Sequence, residues 1–113
     1  MPKGDIAHDK ILFEAVLEAA HTIEPTLRVG SMFGGPAIFV GRKMAACVFG
    51  GEVGLKVPAD IASTSIASGN AKHFTPYGKS KMREWISVTI QRDQVDRIAN
   101  LLSSSLKYAR DNN

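Results

Sequence analysis

Hydrophobic residues recur at helical spacing in two long stretches, one near each end of the chain. The first runs from Asp9 to Glu24, and its apolar stripe consists of Leu12, Phe13, Val16, Leu17, Ala19, Ala20 and Ile23. Pro25 follows and cannot continue a helix, because its ring replaces the amide hydrogen that the helical ladder needs. The second runs from Asp93 to Arg110, with a stripe of Val95, Ile98, Leu102, Leu106 and Ala109. The spacing predicts two long amphipathic helices, each with one buried face.

Between these helices the hydrophobic period falls to two, and glycine interrupts the chain repeatedly. Gly34-Gly35-Pro36 is typical of a sharp turn. Strands are then predicted over residues 37–40 and 43–49, joined by Gly41-Arg42, and over residues 53–57 after Gly50-Gly51. A short helix from Pro58 to Ser68 follows, and residues 82–90 alternate as a further strand.

The predicted elements follow one another in the order α-β-β-β-α-β-α. Consecutive hairpins make an antiparallel meander, whereas a parallel sheet would need a helix between its strands. We therefore predict an α+β fold in which both long helices cover one face of an antiparallel sheet of four or five strands. No linker or change of composition divides the chain, so residues 1–113 are expected to form a single domain.

The composition removes several classes of function. The single cysteine, Cys47, excludes a disulfide within the chain and a zinc site with four cysteine ligands. The histidines His8, His21 and His73 lack the spacing of a known metal motif, so we expect neither a metal nor a cofactor. No apolar run reaches the roughly 20 residues that a membrane span needs, and the first residues lack the pattern of a secretory signal. We expect a cytoplasmic protein that does not bind membranes.

The charge is unevenly distributed along the chain. Residues 1–26 hold two lysines and five acidic residues, although the whole chain has a net charge of +3. The segment from Lys72 to Arg83 contains no acidic residue and four cations, which are Lys72, Lys79, Lys81 and Arg83. With Tyr77 at its centre, this segment is predicted to contact an acidic partner or phosphate groups. The alternative is a solvated loop whose lysines only keep the protein in solution.

Two groupings have both a functional and a structural interpretation. Cys47 and His73 could act as nucleophile and base, but a cysteine in the middle of a predicted strand is typical of a small buried apolar residue. Phe74, Tyr77 and Trp85 could stack on nucleic-acid bases, although Phe74 and Trp85 fit core packing better. The sequence contains no other nucleophile–base pair and no set of metal ligands, so no catalytic residue is predicted.

One block of sequence points to a family. The motif Met32-Phe33-Gly34-Gly35, preceded by Arg28, and the hairpin that returns through Gly41 to Val48 resemble the N-terminal domain of TfoX/Sxy proteins, a group related to YjbR-like proteins. Further matches follow in order: Leu55-Lys56-Val57-Pro58, Phe74-x-Pro76, Met82-x-Glu84-Trp85-x-x-Val88 and a C-terminal helix. The resemblance spans residues 10–108. The motif residues are Met32, Phe33, Gly34, Gly35, Lys56, Glu84 and Trp85; folding alone could also require them.

The resemblance implies a stand-alone domain of the TfoX N-terminal type, without the second domain of the full-length competence regulators. Such a domain is expected to be a non-enzymatic regulatory or interaction module, linked to transcription or competence, with an unidentified protein partner. One alternative is direct binding of nucleic acid through Arg42, Lys43, Lys72, Lys79, Lys81 and Arg83, and another is a small enzyme. An edge strand, together with Leu101 and Tyr108 on the last helix, further predicts a homodimer.

Overall fold

The first and last helices lie within the stretches that the hydrophobic stripes predict, and both pack on one face of a sheet. The structure, a computed structural model, describes residues 10–32, 35–75 and 83–113. Its helices are α1 (Lys10–Ile23), α2 (Ala59–Ala67) and α3 (Ala99–Asp111), and a 3-10 helix (Arg92–Ile98) leads into α3. Its strands are β1 (Arg28–Met32), β2 (Gly35–Val40), β3 (Lys43–Phe49), β4 (Glu52–Lys56), β5 (Lys72–His73) and β6 (Trp85–Thr89). None of the described helices combines the length and the hydrophobicity that crossing a bilayer requires.

The strands form one antiparallel sheet in the order β1-β2-β3-β4-β6-β5. This confirms the predicted α+β class and the packing of the terminal helices on the sheet. The described strands number six rather than four or five, because β1 and the two-residue β5 lie in segments without a clear alternation of apolar and polar residues. Gly35 and Pro36, which we predicted to form a turn, instead open β2 and pair with Met32 and Ser31.

Two predicted elements have different bounds in the structure. The stretch from Asp93 to Arg110 is not one continuous helix, because the 3-10 helix precedes α3. The 3-10 helix begins at a capping box, in which the side chains of Gln91 and Gln94 each bond to the other residue's backbone. The last strand begins at Trp85, and Met82, the predicted first residue, lies outside the described residues.

The helices and one face of the sheet enclose the main core. Its fully buried side chains include Leu12, Val16, Ile38, Val48, Leu55, Ile86, Leu102 and Leu106. A β-bulge inserts Ala45 between the pairs Ile38–Ala46 and Phe39–Met44, and the buried Ser105 hydroxyl of α3 donates a hydrogen bond to the Ala45 carbonyl. This bond satisfies a polar group inside the core and ties α3 to the centre of the sheet.

The opposite face of the sheet holds a second, smaller cluster. Its buried members are Ala37, Cys47, Phe74 and Trp85, and Phe39, Met44 and Phe49 pack against them. None of these residues belongs to a helix, so we call this the helix-free face. A Cβ at Gly54, in the middle of β4, would lie 2.9 Å from the Cys47 Sγ and 3.0 Å from the Phe74 ring. The Phe74 ring therefore occupies the place of the side chain that Gly54 lacks.

Candidate functional site

Four cations from separate parts of the sequence lie at one end of the sheet. Lys43 begins β3, Lys56 ends β4, and Arg83 lies two residues before β6. These strands are neighbours, and Lys56 is directly opposite Trp85, the first residue of β6. Arg42, in the turn before β3, completes the group. We call Arg42, Lys43, Lys56 and Arg83 the basic end; the three strands beside which they lie span about 10 Å across the sheet, because neighbouring strands lie about 4.8 Å apart.

The cations of the basic end are accessible and only partly neutralised. Arg42, Lys43 and Arg83 are exposed and Lys56 is half-buried, and none of the four forms an ion pair with a residue in the described ranges. Asp60, exposed in the first turn of α2, reduces the local positive charge but does not cancel it. A surface of this kind attracts carboxylate or phosphate groups.

A second acidic residue at this end is already engaged. The Tyr108 hydroxyl donates a hydrogen bond of 2.7 Å to the Glu84 Oε2. That bond to the carboxylate, assisted by desolvation, raises the pKa of Tyr108 above its ordinary value, so the phenol stays protonated. Glu84 thus fixes α3 to the segment that precedes β6.

Three of the seven residues on which the resemblance to TfoX N-terminal domains rests meet at the basic end. A shallow cleft of about 460 Å³ is lined by Lys56, Ala59, Arg83, Glu84 and Trp85. Trp85 is only 7% exposed, and its ring lies 5.3 Å from the Phe74 ring at an angle of 32°. The core interpretation of both aromatic residues is therefore confirmed, and Trp85 forms the apolar wall of the cleft rather than a free stacking platform.

The other predicted site residues do not join this cleft. Met32 is 42% exposed at the far end of β1, where it pairs with Gly35. β1 begins with Arg28, which pairs with Phe39 near the end of β2 and therefore close to the basic end. Met32, the last residue of β1, lies at the opposite end of the sheet. The remaining predicted residues, Phe33, Gly34, Tyr77, Lys79 and Lys81, lie outside the described residues.

Lys72 has an acidic neighbour that its own segment does not contain. Its Nζ lies 3.1 Å from the Glu52 Oε2, and the buried Ser87 hydroxyl donates to the Glu52 Oε1 at 2.5 Å. Burial raises the pKa of Glu52, but the bonds from Ser87 and Lys72 outweigh it and leave the pKa below its ordinary value. Lys72 thus belongs to a local ion pair on the helix-free face.

The structure separates Cys47 from His73. Strand pairing aligns Cys47 with Gly54, Gly54 with Ser87, and Ser87 with Lys72. Paired residues lie on the same side of a sheet, so all four belong to the helix-free face. His73, one residue further along β5, lies on the opposite face. Cys47 is 1% exposed, and burial raises the pKa of its thiol to about 12, so it is a protonated apolar residue at neutral pH. This geometry does not support a nucleophile–base pair.

Two residues that hold the basic end in place were not predicted. The Asn113 side chain accepts a hydrogen bond of 2.8 Å from the Arg42 amide and donates one of 2.6 Å to the Val40 carbonyl. Arg28 donates through Nε to the Gly41 carbonyl at 3.0 Å, and its guanidinium lies 4.9 Å from the centre of the Phe39 ring. The bonded residues, Arg28 with Gly41 and Asn113 with Arg42 and Val40, are too far apart in sequence for a local pattern to reveal their contacts. The one sequence signal was the position of Arg28 at the start of the block that resembles TfoX proteins.

In the described ranges, no group of three or more histidine, cysteine or acidic side chains is arranged to hold a metal ion. Neither the protein-family models nor the curated proteins compared with this chain give a match. The resemblance to TfoX N-terminal domains therefore rests on the motif residues quoted above.

Proposed function

We propose that this protein is a regulatory or interaction module, similar to the TfoX N-terminal domain, that acts by contact with an acidic protein partner through its basic end. The observation that carries the proposal is that Lys56 and Arg83 line the Trp85 cleft, while Arg42 and Lys43 lie at the same end of the sheet. An exposed group of cations beside an apolar wall suits a partner that offers carboxylates next to an apolar side chain. The role in transcription or competence and the cytoplasmic location rest on the sequence alone.

The surroundings of the side chains that could otherwise react support a non-enzymatic role. The Cys47 thiol is buried and protonated, and the Glu84 carboxylate is held by Tyr108. Of the two carboxylates near the cations of the basic end, Glu84 is engaged by Tyr108 and Asp60 is exposed to solvent. The cations of the basic end are therefore suited to bind negatively charged groups.

Nucleic acid is the second candidate partner, because the same exposed cations could neutralise phosphates. The salt dependence of DNA binding tests this alternative. Neutralising several phosphates releases counterions, so the logarithm of the DNA affinity would fall linearly with the logarithm of the salt concentration. A titration of a labelled DNA duplex at several salt concentrations measures this slope directly.

The main test is a charge reversal with a matched control. The double variant Lys56→Glu, Arg83→Glu should fold normally and lose its protein partners in affinity capture from native lysate. The control Arg92→Glu, Arg97→Glu changes the net charge equally at two exposed positions of the 3-10 helix and should keep them. Parallel nuclease treatment identifies partners that are held only through nucleic acid.

Equal capture by both variants would contradict the proposed contact surface. Partners that disappear on nuclease treatment, together with a steep salt dependence of DNA binding, would favour the nucleic-acid alternative. Self-association, which the sequence also predicts, does not enter this test.

A further inference from the structure

The two edges of the sheet differ in how they are protected. The β5 edge is only two residues long and carries Lys72, and short charged edges of this kind discourage further strand pairing. The β1 edge has five residues without proline, and its pairing with β2 shows no register shift. Val29 and Met32 on this strand are 50% and 42% exposed. Within the described residues, β1 has a strand on one side only.

We propose that β1 pairs with β1 of a second copy of this chain, antiparallel and centred on Gly30. A two-fold axis through Gly30 places each Arg28 opposite Met32 of the other copy, and each Val29 opposite Ser31. The two sheets then join into one continuous sheet, and the exposed edge disappears from both copies. The proposal does not depend on the contact surface at the basic end.

The charges of β1 suit a second copy of itself. Arg28 is its only charged residue. In the proposed register, the two Arg28 residues are displaced by four positions, or about 14 Å along the strand, which exceeds the screening length of about 8 Å at physiological salt. Arg28 is also held in its own chain by Gly41 and Phe39, so pairing does not require its guanidinium to move.

Gly30, at the centre of β1, is well placed to lie at the two-fold axis of the proposed dimer. A Cβ at Gly30 would lie 2.7 Å from a carbon of the Phe39 ring, so this ring covers Gly30 on the helix-free face. Two opposed glycines lie about 5 Å apart in an antiparallel pair, and the two half-buried Phe39 rings then meet across the axis. A foreign strand would supply the hydrogen bonds but not this second ring.

The surface that the sequence suggested for a dimer is largely used within the chain. Leu101 packs against the main core, and the Tyr108 hydroxyl donates to Glu84. The β1 edge therefore replaces the α3 surface as the predicted site of self-association.

Sedimentation equilibrium over a wide range of protein concentrations tests the proposal. The interface is small, so the wild-type chain should be monomeric when dilute and dimeric when concentrated. Val29→Lys places a charge on the edge and should weaken dimerisation by about tenfold or more. Ile11→Lys is the matched control, because Ile11 on α1 is also 50% exposed, and it should leave the dimer intact. A monomer at every concentration, or equal effects of the two variants, would overturn the proposal.

Cysteine cross-linking tests the register without weakening the edge. A mixture of Val29→Cys and Ser31→Cys chains should form a mixed disulfide under mild oxidation, because these positions are opposed in the proposed dimer. Each variant alone should form little, and the buried Cys47 should not interfere. A strong disulfide from Ser31→Cys alone would place the axis at Ser31 and contradict the register centred on Gly30.

Discussion

Single side chains connect distant parts of this small protein. Glu24, just after α1, is nearly buried, and its carboxylate accepts hydrogen bonds from the Thr26 hydroxyl at 2.5 Å and from Arg110 of α3 at 3.2 Å. Thr26 is the main cause that lowers the pKa of Glu24 below its ordinary value of 4.5; desolvation opposes this, and Arg110 adds to the lowering. A polar contact of this kind joins the first and last helices outside the apolar core.

This contact predicts a pH-dependent loss of stability. A carboxylate with a lowered pKa in the folded state stabilises the fold fully above its ordinary pKa, and the contribution disappears as the pH falls through the lowered value. The wild-type protein should therefore be more stable than Glu24→Gln at neutral pH, and the difference should shrink in acid. Urea unfolding of both proteins between neutral and strongly acidic pH measures this difference. The control Glu18→Gln, at an exposed position of α1, should stay close to the wild-type protein throughout. If the difference in the free energy of unfolding between the wild-type protein and Glu24→Gln did not change with pH, the ionisation of Glu24 would not contribute to stability.

At the scale of elements, α3 is held by its apolar stripe and by Ser105. Leu102 is completely buried and Leu106 is 1% exposed, both in the main core. The neighbouring Ser103 is exposed on the same helix. Adjacent positions of α3 thus have opposite environments, which makes a direct comparison possible.

We predict that Leu102→Asp destabilises the fold by about 4 kcal/mol or more, because it removes a buried side chain and inserts a carboxylate without a partner. Ser103→Asp, one position later, should change the free energy of unfolding by no more than about 0.5 kcal/mol. Thermal or urea unfolding of both variants gives the comparison. Similar stabilities of the two variants would mean that the stripe of α3 does not face the core.

The sequence patterns predicted some elements well and missed others for physical reasons. The hairpins around Gly41 and Gly50 join short apolar runs through glycines at positive φ, 62° and 64°, where other residues are strained. The strand β1 was not predicted because Gly30 and Ser31 interrupt its apolar pattern. An exposed strand has no buried face, so its sequence does not need alternating apolar residues. The sequence already grouped Arg42, Lys43 and Arg83 as candidate contacts. Lys56 was not joined to them, because strand register, rather than sequence distance, brings it next to Arg83.

At the scale of the whole molecule, the two proposals have a joint geometric consequence. The basic end lies at one end of the strands, and β1 lies at the side of the sheet. A two-fold axis perpendicular to the sheet turns the second copy end for end. The proposed dimer would therefore present its basic ends in opposite directions, as two separate binding surfaces rather than one enlarged surface.

The covering of Gly54 by Phe74 bears on the order in which the chain folds. The strands β2, β3 and β4 are joined by short turns and make mainly local contacts, which we expect to form early because little loop entropy opposes them. The Phe74 ring comes from beyond α2 and packs against Phe49 and Trp85, with ring centroids 6.4 and 5.3 Å apart. The helix-free face is complete only after this more distant segment has docked.

We therefore expect Phe74→Leu to act on the unfolding rate. Losing about 1.4 kcal/mol of packing in a contact formed after the transition state should speed unfolding roughly tenfold and leave the refolding rate nearly unchanged. Val48→Ala, in the central hairpins, should instead slow refolding. Stopped-flow folding and unfolding in urea measures both rates. If Phe74→Leu slowed refolding as much as Val48→Ala, the ring would already be docked in the transition state, and the two faces of the sheet would form together.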